Sequence, residues 1–143
     1  MGADEPEPLG PLSGLHVLVV DDNRDARVIY KAVLAHSGAM VTAVASAAAA
    51  ARSLRQMRPD VVLTDLSMPG HDGVWLARWL RRREMTSGIR IPIIAITARD
   101  DIYERDPMIE AGLDDWLVKP VSHRELIRAI TALTAPAVPK RSA

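Results

Sequence analysis

The chain has 143 residues, with 18 basic and 18 acidic side chains and no cysteine. A domain of this size buries enough apolar surface to fold without disulfides or a structural metal. Without cysteine there is no thiolate metal site and no thiol nucleophile, and the balanced charge removes the broad positive field that nucleic acid or an anionic membrane would require.

The start of the chain carries no basic residue before Arg24 and no apolar run before Leu15, which does not read as a secretory signal, and Pro6 is unsuited to myristoylation. The apolar stretch Ile91 to Ala98 is too short to span a bilayer and reads as a buried strand. A soluble, cytoplasmic protein is expected, with no membrane insertion and no direct contact with nucleic acid.

Residues 1–14 hold Pro6, Pro8 and Pro11 among glycines without periodicity, the composition of a flexible linker. From Leu15 to Val20 the residues are almost all apolar and largely β-branched, as in a strand covered on both faces, and Asp21-Asp22-Asn23 ends it. Arg24 to Ser37 predicts a helix with Val28, Ile29, Ala32 and Val33 on its apolar stripe, closed by Gly38. A strand at 40–45 follows, then a helix at 47–57 started by Ser46, a strand at 61–65 and a helix at 74–84.

The alternation continues with a strand at 91–97, a helical region to Ala111 stopped by Gly112, a strand at 115–119 and a helix at 123–133. Pro107 would remove a donor inside the fourth helix, so a short helix from about 107, with Asp106 as its cap, is expected after an irregular stretch. Residues 134–143 are expected to be a disordered tail. Five βα units in succession imply an α/β fold, a parallel sheet with helices on both faces.

In such a sheet ligands bind beyond the carboxyl ends of the strands, where the chain order reverses. Asp21 and Asp22 end the first strand, Asp65 the third, Thr97 the fourth and Lys119 the fifth. Three converging carboxylates raise one another's pKa unless a cation holds them. Oxygen-only ligands suit a hard ion, and an incomplete protein shell suits Mg²⁺, which retains water. Phosphoryl transfer needs mainly positioning and charge neutralisation, and a metal, an ammonium and a hydroxyl can supply both.

Val19-Val20-Asp21-Asp22-Asn23, Asp65-Leu66-Ser67-Met68-Pro69-Gly70 with Asp72-Gly73, Thr97-Ala98 and Lys119-Pro120 together resemble a two-component response regulator receiver domain (CheY-like) across residues 15–133. The resemblance implies a flavodoxin-like doubly wound five-stranded sheet in the order 2-1-3-4-5. It implies that Asp65 accepts a phosphoryl group from the phosphohistidine of a histidine kinase or phosphotransfer protein. It assigns Mg²⁺ to Asp22 and Asp65, to Asp21 through a water, and to the main-chain carbonyl of Ser67. Lys119 and Thr97 would contact the phosphoryl group, and a cis peptide would precede Pro120.

Trp116 departs from the pattern, because such proteins usually carry Tyr, Phe or His three residues before the lysine, as a ring that reports the state of the loop after Thr97. Trp is larger and brings an N–H that needs a partner when buried. It is expected either to move with phosphorylation or to hold a fixed packing role. Arg99 lies where side chains of such proteins affect the approach of water, which implies a long-lived phosphoaspartate.

Arg78, Arg81, Arg82 and Arg83 read as a solvated helix face, and His16, His36, His71 and His123 show no metal-ligand spacing. The run Leu12 to Leu18 after a Pro-rich segment resembles the receiver of a hybrid histidine kinase, and a stand-alone regulator fits equally. A homodimer stays open. The alternative function is a non-phosphorylated pseudo-receiver that acts as a protein-binding module. An aspartate-based phosphatase fits less well because Ser67 stands where its second acid would be. A nucleotide-binding enzyme fits poorly, because the first loop is acidic and not glycine-rich.

Overall fold

The computed structural model describes residues 10–98 and 105–135. Five strands, β1 (His16–Val20), β2 (Met40–Val44), β3 (Val61–Asp65), β4 (Ile93–Thr97) and β5 (Asp115–Val118), form one sheet in the order β2-β1-β3-β4-β5. Every neighbouring pair is parallel. The helices between them are α1 (Arg24–His36), α2 (Ala47–Leu54), α3 (Gly73–Ser87), α4 (Arg105–Ala111) and α5 (His123–Thr134). This is the doubly wound, flavodoxin-like arrangement that the resemblance implied.

The central strands β3 and β4 are buried along their whole length, which explains runs such as Ile93-Ile94-Ala95-Ile96 without polar alternation. Their side chains feed two cores. One holds Leu18, Val62, Ile93 and Ala95 with Leu54 of α2, Leu76 and Leu80 of α3 and Met108 of α4. The other holds Val17, Val19, Leu63, Ile94 and Ile96 with Leu34 of α1 and Leu126 and Ile130 of α5. The chain leaves β1 toward β2 on one side and returns to β3 on the other, so the loops after β1 and β3 flank the point of reversal.

Several local expectations are corrected. Residues 10–14 are not a free linker: Leu12 is fully buried in the α1–α5 core, and its N–H donates to the Ser37 carbonyl at 2.8 Å. Burying one leucine contributes about 2 kcal/mol, enough to hold this turn against the domain. At the other end α5 continues through Thr134, the residue at which the tail was expected to begin.

The apolar stripe assigned to α1 is rotated. Val28 and Ile29 are 58% and 55% exposed, whereas Leu34 is buried and Tyr30 and Val33 pack against the same core. Val33, the one residue of the expected stripe that packs inward, shares the inner face with Tyr30 and Leu34. The fourth helix begins at Arg105, so Asp106 is not its cap and Pro107 is its third residue. There the missing N–H costs no intrahelical bond, since first-turn donors have no partner in any helix. The irregular stretch expected before it, with Arg99, lies outside the described residues.

Candidate functional site

The three acidic side chains come from two places in the chain, Asp21 and Asp22 from the loop after β1 and Asp65 from the end of β3. Asp21 follows β1, is 2% exposed, and its carboxylate accepts the Asn23 N–H at 2.9 Å. Asn23 in turn caps α1 by accepting the Ala26 N–H, so one short segment orients the carboxylate and starts the helix. Arg27, one turn into α1, donates from Nη1 to the Asp21 main-chain carbonyl at 2.9 Å and ties the helix back to the loop. Asp22, the residue after Asp21, is exposed.

Asp65 ends β3 and is 8% exposed. The Leu66 N–H extends the sheet by donating to the Ile96 carbonyl, after which the chain turns at Gly70 and enters α3, capped by Asp72. Gly73 opens α3 directly behind the acid. A β-carbon there would sit 2.8 Å from the Asp65 carbonyl oxygen and 3.2 Å from the Leu66 Cα, so only glycine lets the helix come this close.

Carboxylate oxygens of Asp21, Asp22 and Asp65 lie within 4.8 Å of one another, and Lys119 Nζ stands 3.4 Å from Asp65 Oδ1. Burial pushes the Asp65 pKa above its ordinary value; the Lys119 ammonium opposes this, and the Asp21 charge adds to it. The Ser67 main chain also bonds to Asp65 and favours the ionised form. One ammonium therefore faces three acids. An all-oxygen donor set with excess negative charge and one open side fits a hard divalent cation that keeps water, and Mg²⁺ is the ion of that kind.

The remaining residues singled out in the sequence surround this cup. Thr97, fully buried at the end of β4, donates its hydroxyl to the Ala98 carbonyl at 2.6 Å, so the group is engaged within its own loop. Lys119 is fixed by its N–H to the Thr97 carbonyl at 2.8 Å, and the Lys119–Pro120 peptide is cis. Trp116 is partly buried on the α2–α4 side of the sheet, packed against that core.

Two neighbours of the cup escaped the sequence reading. Tyr30 sits on the inner face of α1, where burial, then Asp21 and Asp65, raise its pKa. Its proximity and that of Arg27 were readable only with the correct α1 face, seven and four residues on from the capping Asn23. Arg81, assigned to a solvated face, is instead a half-buried clamp. It donates to the carbonyls of Gly112 and Ile91 at 3.0 and 2.9 Å and pairs with Glu84 and Asp114 at 2.6 and 2.7 Å.

A parallel sheet of this order with an acidic cup and a lysine at its switch point defines a receiver-type signalling domain. Residues 17–131 match the response regulator receiver domain family, and the chain belongs to it. It is 39% identical over 118 residues to the protein PetR of Rhodobacter capsulatus, covering 82% of this chain and 48% of that protein. It is 35% identical over 126 residues to the sensor protein GacS of Pseudomonas syringae pv. syringae, covering 85% of this chain and 14% of GacS.

The receiver domain of the sensor histidine kinase PA1611 from Pseudomonas aeruginosa PAO1 superposes with a TM-score of 0.76 at 35% identity, covering 85% of this chain and 98% of that one. That structure carries a magnesium ion coordinated in its active-site cleft. The chain spans about half the length of the first curated relatives it matches, 48% and 50%. No helix among the described residues is long and apolar enough to cross a membrane.

Proposed function

We propose that the domain is a phosphoryl-accepting switch of a two-component phosphorelay, with Asp65 as acceptor. The observation that carries this reading is the cup itself: three carboxylates within 4.8 Å of one another and a single ammonium 3.4 Å from the central one. An arrangement so short of positive charge is costly to maintain unless cation and phosphoryl binding use it.

In the proposed reaction an Asp65 carboxylate oxygen attacks the phosphorus of a phosphohistidine presented by a histidine kinase or phosphotransfer protein. The new O–P bond forms as the P–N bond breaks, and the imidazole leaves and takes a proton. Asp21, Asp22 and Asp65, with the Ser67 carbonyl, would hold Mg²⁺. The ion, when bound, supplies neutralising charge for the phosphoryl oxygens. Lys119 contributes a fixed positive charge beside the acceptor oxygen.

Thr97 must exchange its bond to Ala98 for one to a phosphoryl oxygen, which couples the loop after β4 to the state of Asp65. Trp116, on β5, would report that exchange if its ring moves with the loop. Water attack on the acyl phosphate releases inorganic phosphate and restores the carboxylate.

Intact-mass measurement after incubation with acetyl phosphate and Mg²⁺ tests the reading. One added phosphoryl group is expected, absent in Asp65→Asn and when Mg²⁺ is chelated. An unmodified wild-type mass would instead favour the alternative, a pseudo-receiver that only binds protein. The Trp116 role is read in a Trp75→Phe, Trp79→Phe background, where fluorescence should change on addition of Mg²⁺ and beryllofluoride. No change would assign Trp116 a fixed packing role.

A further inference from the structure

At the opposite end of the sheet from the acidic cup, the C-terminal ends of α2 and α3 frame an open cavity of about 310 Å³. Its floor is apolar, formed by Leu54, Met57, Leu80 and Ile91. Its rim carries three arginines, Arg55, Arg58 and Arg83, all exposed. Among the described residues none of the three has a carboxylate within ion-pairing distance, in contrast to Arg81 and Arg90 nearby. The acid that does line the cavity, Glu84, already accepts from Arg81 and from the Ile91 N–H, so its charge is largely spent.

The guanidinium groups are also pre-arranged. Those of Arg55 and Arg83 lie over the Trp79 ring, 5.9 and 5.5 Å from its centroid, which restricts two long side chains that would otherwise lose much freedom on binding. Part of each helix end is already engaged by its own backbone. The N–H groups of Arg55, Gln56 and Met57 bond to Arg52 and Ser53 carbonyls, and that of Gly88 to the Glu84 carbonyl.

From this charge complementarity we infer that the α2–α3 cavity is a docking site for an acidic segment of a partner protein, with one apolar side chain seated on the floor and flanking carboxylates on the arginines. The cavity lies at the small end of the range for ligand pockets, and it is open, which suits a side chain of a larger partner better than an enclosed small molecule. Fully exposed salt bridges contribute little alone, so the apolar anchor supplies the affinity and the arginines the choice of partner. The inference stands apart from phosphoryl transfer, since no residue of the acidic cup takes part.

Titration of the ¹⁵N-labelled protein with a capped synthetic peptide of alternating Glu and Leu tests it. Saturating shifts are expected at the amides of residues 54–58 and 83–91, with affinity weakened by about tenfold or more in the Arg58→Glu, Arg83→Glu protein. Unchanged amide positions elsewhere would show that this variant is folded. Asp65→Asn should bind the peptide as the wild type does.

Three results would overturn the inference. They are shifts centred away from the cavity, a Ser-for-Leu peptide that binds as tightly, or tripolyphosphate that binds as tightly as the peptide. The last two would show that the apolar floor is not used.

Discussion

The two ends of the sheet solve opposite electrostatic problems. At the base, Arg81 sits among Glu84, Asp114 and the carbonyls of Ile91 and Gly112, and Arg90 closes the set by pairing with Asp114 at 2.7 Å. Asp114 also accepts the Ile93 N–H where β4 begins. Donors and acceptors there match, and the network joins α3, β4 and the turn before β5. At the top rim three acids share one ammonium, 3.4 Å from Asp65, and burial holds the Asp65 pKa up. Around Arg81 opposite charges pair and hold the fold together, whereas around Asp65 like charges gather.

The comparison breaks most readily at Arg81. Arg81→Ala leaves the partly buried Glu84 without an ion pair and Asp114 with Arg90 alone, and should cost about 3 kcal/mol in urea unfolding. A neutral result would show that the base network is ornamental. Next in size, Gly73→Ala forces a methyl group against the Asp65 carbonyl and should cost about 2 kcal/mol. It should also weaken Mg²⁺ binding, because the acceptor shifts; loss of stability with Mg²⁺ affinity unchanged would mean that Gly73 serves packing alone.

The smallest effect has the opposite sign. Without Mg²⁺, Asp65→Asn should raise stability at pH 7 by about 1 kcal/mol, because an acid buried beside another acid is removed. The pH dependence follows. The folded Asp65 pKa lies above the ordinary value of 3.8, so between the two the folded state binds the proton more readily than the unfolded chain. Stability from this group therefore falls as pH rises through that window and stays lowered above it. The gap between Asp65→Asn and wild type should open on going from acid to neutral pH. A gap that closes instead would mean that Lys119 outweighs burial.

What the sequence disclosed follows the range of the interactions. The strand runs and the polar residues that end them are local signals, so β1 to β5 and the rim residues Asp21, Asp22, Asp65, Thr97 and Lys119 could be placed before the fold was seen. Arg81 could not, because its partners Gly112 and Asp114 lie over thirty positions away and nothing local marks the pairing. The α1 face was partly misplaced because Ile29 stands at helical spacing from Val33 just as Tyr30 does, and only packing chooses Tyr30. Leu12, set among Pro and Gly, looked like linker until Ser37 and the α1–α5 core supplied its contacts.

In the proposed function the rim is left short of positive charge so that a cation can complete it. The direct measurement is urea unfolding of wild type and Asp65→Asn across a Mg²⁺ titration. A ligand that binds only the folded state must raise stability in step with its occupancy. Wild type should gain stability saturably and overtake Asp65→Asn, which should gain little. Equal responses of the two proteins, or none in either, would contradict the account.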